Sequence, residues 1–238
     1  MKKSLPLVLL PAVAGVIVFL LLTRKPETDN SAAPSGPKPP DAALVEATTK
    51  RANGGDAAAE RQLGQWYIDG MGQAPDYRKA ADWLQKAAAA GDAEAQNLLG
   101  TLLETGHGMP RDYTNAMAWF TKAADQGHSG ALYNLGSMYG AGRGVPQNSQ
   151  TAAKYYLKAA ELSDPDAQFN VGQRFEVGKG VATNLVESWK WYDLAAAGGV
   201  PDAVKAKGKL EPRMTAEELA KAKQAVVEFK KAAAPARK

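Results

Sequence analysis

The sequence predicts an all-α protein: a right-handed α-solenoid of four 36-residue helix-pair repeats with N- and C-terminal capping helices, preceded by a single N-terminal transmembrane helix. Three observations predict it. Glycines recur at intervals of 36 at Gly64, Gly100, Gly136, Gly172 and Gly208, again at Gly70, Gly106, Gly142 and Gly178, and again at Gly72, Gly108, Gly144 and Gly180. An aromatic keeps the same interval at Trp83, Trp119, Tyr155 and Trp191, and alanine does so at Ala87, Ala123, Ala159 and Ala195. Leu5 to Leu22 is an 18-residue stretch without charge between Lys2-Lys3 and Arg24-Lys25. Self-similarity at one fixed period marks stacked units, here 56–91, 92–127, 128–163 and 164–199.

Residues 1–25 come first. Eighteen helical residues span roughly 27 Å, enough for the hydrocarbon core of a bilayer. A cleaved signal peptide is the rival reading, but Phe19-Leu20-Leu21-Leu22-Thr23-Arg24 offers no small-x-small cleavage site. The expectation is an uncleaved anchor with the repeats in the periplasm of a bacterial inner membrane, since the flanking charges slightly favour the N-terminus inside. Residues 26–40 hold five prolines and hardly any bulky apolar side chain, which predicts a disordered, semi-rigid linker.

Residues 41–55 match the second helix of a unit, with Leu44 in the Ala80 column and Gly55 matching Gly91, and read as an N-terminal cap. Within each unit the first helix starts at an N-cap such as Asp56, Asp92 or Asp164, the last followed by Pro165 at N1. It ends at a G-x-G pair, whose first glycine supplies a left-handed C′ residue and whose second keeps the loop tight. Asp112, Asn148 or Asn184 then caps the second helix, which carries a W-x-x-K-A-A pattern. The mid-helix glycine (64, 100, 136, 172) costs about 1 kcal/mol of helix propensity, so it predicts a close approach, here to Ala80, Ala116, Ala152 and Ser188. Tyr67, Leu103, Tyr139 and Phe175, with the tryptophan column, are expected to fill the space between units. A single unit cannot bury its apolar face, so stability comes from stacking. Residues 200–238 close the array: a short helix over 202–209, a break at Glu211-Pro212, and a long helix from a Thr215/Glu218 capping box to about Lys231, with a disordered tail.

The composition narrows the chemistry. With no cysteine there are no disulfides, thiolate metal sites or cysteine nucleophiles, and two histidines, His107 and His128, are too few for a multi-histidine metal site. Lys2, Lys3, Arg24 and Lys25 equal the whole net charge of +4, while residues 41–199 carry 14 basic against 18 acidic side chains. A mildly acidic core lacks the basic face that a duplex binder needs, so nucleic acid is not an expected partner. Gly136-Ser137-Met138-Tyr139-Gly140 has its serine in the wrong place for a nucleophile elbow, and the G-x-G pairs lack the third glycine and preceding strand of a phosphate loop. Both histidines read as solvated surface groups, and Asp164 as a cap rather than half of a carboxylate pair. The chain is expected to be no enzyme and to need no cofactor, metal or small-molecule substrate.

The stretches Ala95-Gln96-Asn97-Leu98-Leu99-Gly100, Gly142-Arg143-Gly144-Val145-Pro146 and Ala118-Trp119-Phe120-Thr121-Lys122-Ala123-Ala124 resemble the Sel1-like repeat, a relative of the tetratricopeptide repeat. The resemblance covers about residues 41–231. It implies a solenoid that binds proteins or peptides on its concave side, often as a scaffold or adaptor in bacterial envelope assembly or signalling. One cysteine-rich subgroup is associated with penicillin-like ligands, a property that a cysteine-free chain does not inherit.

On the first helices, positions three before, one after and four after the repeating glycine share one face and should project into the groove. These are Arg61, Gln65 and Ile68; Asn97, Thr101 and Glu104; Tyr133, Ser137 and Gly140; and Phe169, Gln173 and Glu176. Tyr133 and Phe169 are the expected aromatic anchors for a protein or peptide partner, with Asn97 and Gln173 as hydrogen-bonding groups for an extended chain. The expected function is a membrane-anchored interaction scaffold. A second reading is a cell-wall-associated hydrolase or β-lactam-binding protein, and a third is a structural spacer.

Overall fold

Short polar side chains start nearly every helix. Asp41, Asp56, Asp76, Asp92, Asp112, Asn148, Asp164 and Asn184 each accept a backbone N–H of the first turn, which satisfies a donor the helix itself cannot. The computed structural model describes residues 40–70 and 74–233. They form α1 (Ala42–Asn53), then the pairs α2 (Ala57–Asp69) with α3 (Tyr77–Ala89), α4 (Ala93–Thr105) with α5 (Tyr113–Asp125), α6 (Ser129–Ala141) with α7 (Ser149–Glu161), and α8 (Pro165–Val177) with α9 (Leu185–Ala197). A shorter α10 (Pro201–Leu210), a 3-10 turn (Glu211–Arg213) and α11 (Ala216–Ala233) follow. From α1 to α10 each helix packs on its neighbours in the chain, whereas α11 folds back past α10 to pack on α9. The apolar segment 5–22, the linker up to residue 39, Gly72 and the tail from 234 lie outside the described residues. Among the described residues no helix is long and apolar enough to cross a membrane.

The glycine column is a seat, but not for the expected side chains. A methyl group added at Gly64 would lie 2.5 Å from Leu84 Cγ, at Gly100 2.7 Å from Phe120, at Gly136 3.1 Å from Tyr156, and at Gly172 2.6 Å from Tyr192. The residues seated on the bare backbone are therefore Leu84, Phe120, Tyr156 and Tyr192, one turn beyond the predicted Ala80, Ala116, Ala152 and Ser188. The reason is directional. Side chains on a helix lean toward its N-terminus, so the spot level with residue 80 is covered by residue 84. The small column remains fully buried, and Ser188 Oγ donates to the Gly172 carbonyl at 2.8 Å.

The G-x-G loops do two jobs. Their first glycines (Gly70, Gly106, Gly142, Gly178) take φ between 71° and 87°, ending the first helix as predicted. The loop is closed by the second-helix cap, whose N–H donates to the carbonyl of Tyr67, Leu103, Tyr139 or Phe175 at 2.8–2.9 Å. The second glycines reach further than a tight loop requires. A side chain on Gly108 would collide with the Tyr77 backbone, on Gly144 with Tyr113 and on Gly180 with Ser149. Each is thus pressed against the start of the preceding unit's second helix, and the absence of a Cβ permits stacking between units as well as turning within one.

Units are joined by polar ties too. Buried Gln96 and Gln168 donate to the carbonyls of Ala88 and Ala160 at the end of the preceding helix. His128 is not a solvated histidine: it caps α6, with Nδ1 accepting from Ala131 N at 3.1 Å and Nε2 2.8 Å from Glu94 Oε2 in the previous unit. Its acceptor role at Nδ1 places the proton on Nε2. His107 is exposed, as expected, but stacks on Tyr77 at 4.7 Å. The W-x-x-K pattern also has a physical basis: Lys86 lies 4.1 Å over the half-buried Trp83 ring and Lys122 3.9 Å over Trp119. In the fourth unit Leu194 stands where that lysine would be, and Phe229 of α11 covers Trp191, which is 3% exposed.

The ends show what stacking supplies. In α1, Thr48 and Ala52 are buried in register with Leu84 and Ala88, but Leu44 is 53% exposed although its column mate Ala80 is fully buried. Among the described residues the cap has no first helix of its own to cover that position. At the other end Gly208 keeps the period yet has nothing within 4 Å of an added methyl, because no second helix is seated there. The Thr215/Glu218 capping box forms as predicted.

Two glycines of one column should therefore respond oppositely. Gly172→Ala should destabilise the domain by about 2 kcal/mol, overpacking against Tyr192 outweighing better helix propensity, whereas Gly208→Ala should stabilise it by about 1 kcal/mol, as read from urea melts. A second expectation concerns acid. The hydrogen bond from His128 holds the Glu94 carboxyl below its usual 4.5, so that stabilisation is present above this value and lost as pH falls through the lower folded one. Glu94→Gln should be less stable than the parent near neutral pH, with the gap closing in acid.

Candidate functional site

The first helices of successive units meet along one face, and most of the residues assigned to the groove lie on it. There they also bind one another. Arg61 Nε donates to Asp92 at 3.0 Å, Asn134 Nδ2 to Asn97 Oδ1 at 2.9 Å, and Asn170 Nδ2 to the Tyr133 hydroxyl at 3.2 Å. Glu104 meets Arg143 at 2.8 Å, and Arg143 also donates to Ser137 Oγ. Glu176 pairs with Arg213. Gln65 donates to Asp69 within its helix, and the Thr101 hydroxyl to the Asn97 carbonyl. The predicted face is thus a ladder of ties between units, and Tyr133, half-buried with its ring edge-on to Tyr156 at 5.1 Å, is part of the packing rather than a free anchor.

Burial tunes these groups. It raises the Glu104 carboxyl above its ordinary range, opposed only in part by the Arg143 charge. It raises Tyr133 as well. Tyr192 is raised furthest, by burial first and then by donating to Glu176 Oε2 at 2.8 Å, so its hydroxyl is a fixed hydrogen-bond donor rather than a proton acceptor. Among the described residues no group of three His, Cys, Asp or Glu side chains could hold a metal ion.

One part of the face opens into a cavity of about 700 Å3 between α8 and α10. It brings together Phe169, Gln173 and Glu176 of the predicted set, and adds Asn170, Arg174, Lys179, Lys205 and Lys209. Phe169 leans on Tyr192 at 5.6 Å with an edge left to the cavity, Gln173 is exposed, and Val177 on the rim is 71% exposed. Such a mixture of apolar wall and convergent polar groups suits binding of a flexible chain.

Arg174 is the residue that sequence reasoning missed. It occupies the column of Leu102 and Met138, both core residues, and is itself only 7% exposed. Its guanidinium lies 4.5 Å from the Tyr156 ring and donates through Nη1 to the Lys179 carbonyl at 3.2 Å, while Nε is buried without a hydrogen-bond partner. A buried cation held this sparingly costs several kcal/mol. Its signal was in the sequence, as a charge in an otherwise apolar column. The lysines of α10 had no such signal, because that helix reads simply as part of a cap.

The Sel1 repeat family model matches four consecutive stretches, 57–92, 93–128, 129–164 and 165–200, one residue later than the predicted units. A search of curated proteins returned no significant match. Among solved structures, a Sel1 repeat protein from Oxalobacter formigenes is 30% identical, with a TM-score of 0.67 over 80% of this chain and 79% of that one. The protective antigen c5321 of uropathogenic Escherichia coli, which displays an SLR fold, is 25% identical with a TM-score of 0.49, and the match covers 78% of this chain and 48% of that one. Cysteine rich protein B of Helicobacter pylori is 24% identical with a TM-score of 0.47, over 54% of this chain and 96% of that one. With its four repeats matched in one unbroken register over more than half its length, this chain belongs to the Sel1 repeat family.

Proposed function

We propose that this chain is a non-catalytic adaptor that recognises a protein or peptide partner on the face of α2, α4, α6, α8 and α10, with its anchoring pocket between α8 and α10. Sel1 repeat proteins generally mediate protein–protein interaction. The observation that carries the reading here is the cavity of about 700 Å3, which joins an aromatic wall at Phe169 to the side-chain amides of Asn170 and Gln173. An extended peptide needs those two things: a place for one bulky side chain, and partners for its backbone N–H and C=O groups. The upstream part of the face spends its polar groups on ties between units, which concentrates recognition at this end.

We place the domain at a bacterial inner membrane, held by residues 1–25 and spaced from it by 26–40, with the repeats periplasmic and acting in envelope assembly or signalling. This part rests on the 18-residue uncharged stretch and its flanking basic pairs. Deletion of residues 1–25 should move the protein from the membrane to the soluble fraction; retention in the membrane would count against the anchor. For the binding face, a photo-crosslinker at Gln173 should capture a discrete partner in cells. Phe169→Ala with Gln173→Ala should lower that capture by more than tenfold while leaving the helical circular dichroism unchanged. Undiminished capture by the double variant would place the binding site elsewhere.

A further inference from the structure

We infer that the cavity between α8 and α10 takes an acidic segment of the partner, whose carboxylate replaces an acid missing from the protein's own ladder. This rests on the reading of that face as a protein-binding surface and names the chemistry of what binds there. The repeat register shows the gap. Glu104 of one unit pairs with Arg143 of the next, 39 residues on. One period later the basic residue is present as Lys179, but Gly140 stands where the units on either side have Glu104 and Glu176. Arg174 reaches toward the same gap, its Nη2 3.4 Å from where a Cβ on Gly140 would lie.

The charges around the cavity, which Arg174 and Lys179 also line, point the same way. Its two carboxylates are already engaged: Glu176 by Arg213 and the Tyr192 hydroxyl, Asp202 by Lys205. Arg174, Lys179 and Lys209 belong to none of the ion pairs among the described residues. Arg174 is more than nine-tenths buried with its Nε unspent. A cation in that state favours any anion brought beside it, because little water screens the pair. The neighbouring Phe169 and exposed Val177 add an apolar wall, which a hydrated free anion would not use. The fitting ligand is therefore a stretch of chain in which Asp or Glu stands beside a bulky apolar residue.

The test uses the full chain against an array of acetylated, amidated hexapeptides that interleave Glu or Asp with Leu or Phe, each beside its Gln or Asn counterpart. Acidic members should bind at least tenfold more tightly than their amides. Arg174→Met should fold, since Met138 fills the same column, and should abolish the preference. Gly140→Glu should complete the internal ladder, raise the melting temperature and weaken the acidic peptides, while Gly140→Gln should leave them bound. Equal binding of acids and amides would overturn the acidic assignment yet leave the face a binding surface. An acid preference that survives in both Arg174→Met and Gly140→Glu would overturn it too, as would tighter binding of a single-stranded oligonucleotide than of any acidic peptide. Failure of every peptide to bind, with crosslinking from Gln173 lost as well, would remove both readings together.

Discussion

The bare backbone at the middle of each first helix is the constraint on which the rest depends. Where Gly64, Gly100, Gly136 and Gly172 lack a side chain, the second helix can bring Leu84, Phe120, Tyr156 or Tyr192 directly onto the main chain. Burying such a side chain contributes about 1.5–3 kcal/mol, more than the roughly 1 kcal/mol that a mid-helix glycine costs. The contact fixes the distance between the two helices of a unit. The fixed distance in turn lets the loop glycines 108, 144 and 180 meet the preceding unit, so one small residue sets both the pair and the stack.

Stacking then governs the side chains that look free in a linear reading. Arg61, Asn97, Glu104 and Tyr133 lie on the predicted face, but each is bound to the next unit, which turns a row of candidate contacts into a row of struts. The repeat departs from its apolar column at Arg174, which lines the cavity. A buried charge in a column that is otherwise apolar is a local conflict of the kind that functional sites carry.

The helices, their caps and their left-handed terminal glycines were legible because each depends on a few neighbouring residues. Asp92 caps α4 and Gly106 ends it for reasons contained in thirteen residues or so. What escaped reading depends on direction or on a third helix. The seat of Phe120 on Gly100 is offset one turn because side chains lean backward. Leu44 is exposed because none of the described first helices covers it, and His128 is a cap because an imidazole nitrogen can do what Asp92 and Asp164 do with an oxygen. The cavity was half legible: Phe169, Gln173 and Glu176 follow from the register of α8, while Lys205 and Lys209 reach it only through the way α10 is laid against α9.

The glycine seat is tested most directly by a double-mutant cycle between Gly100→Ala and Phe120→Ala in urea. Each change alone destabilises, the first by forcing a methyl into the ring and the second by leaving a cavity. If the ring sits on the bare backbone, the new methyl enters the space the ring has left, and the double variant loses at least 1 kcal/mol less than the sum of the singles. Additive losses would mean that the two residues do not share that space, and would contradict the account.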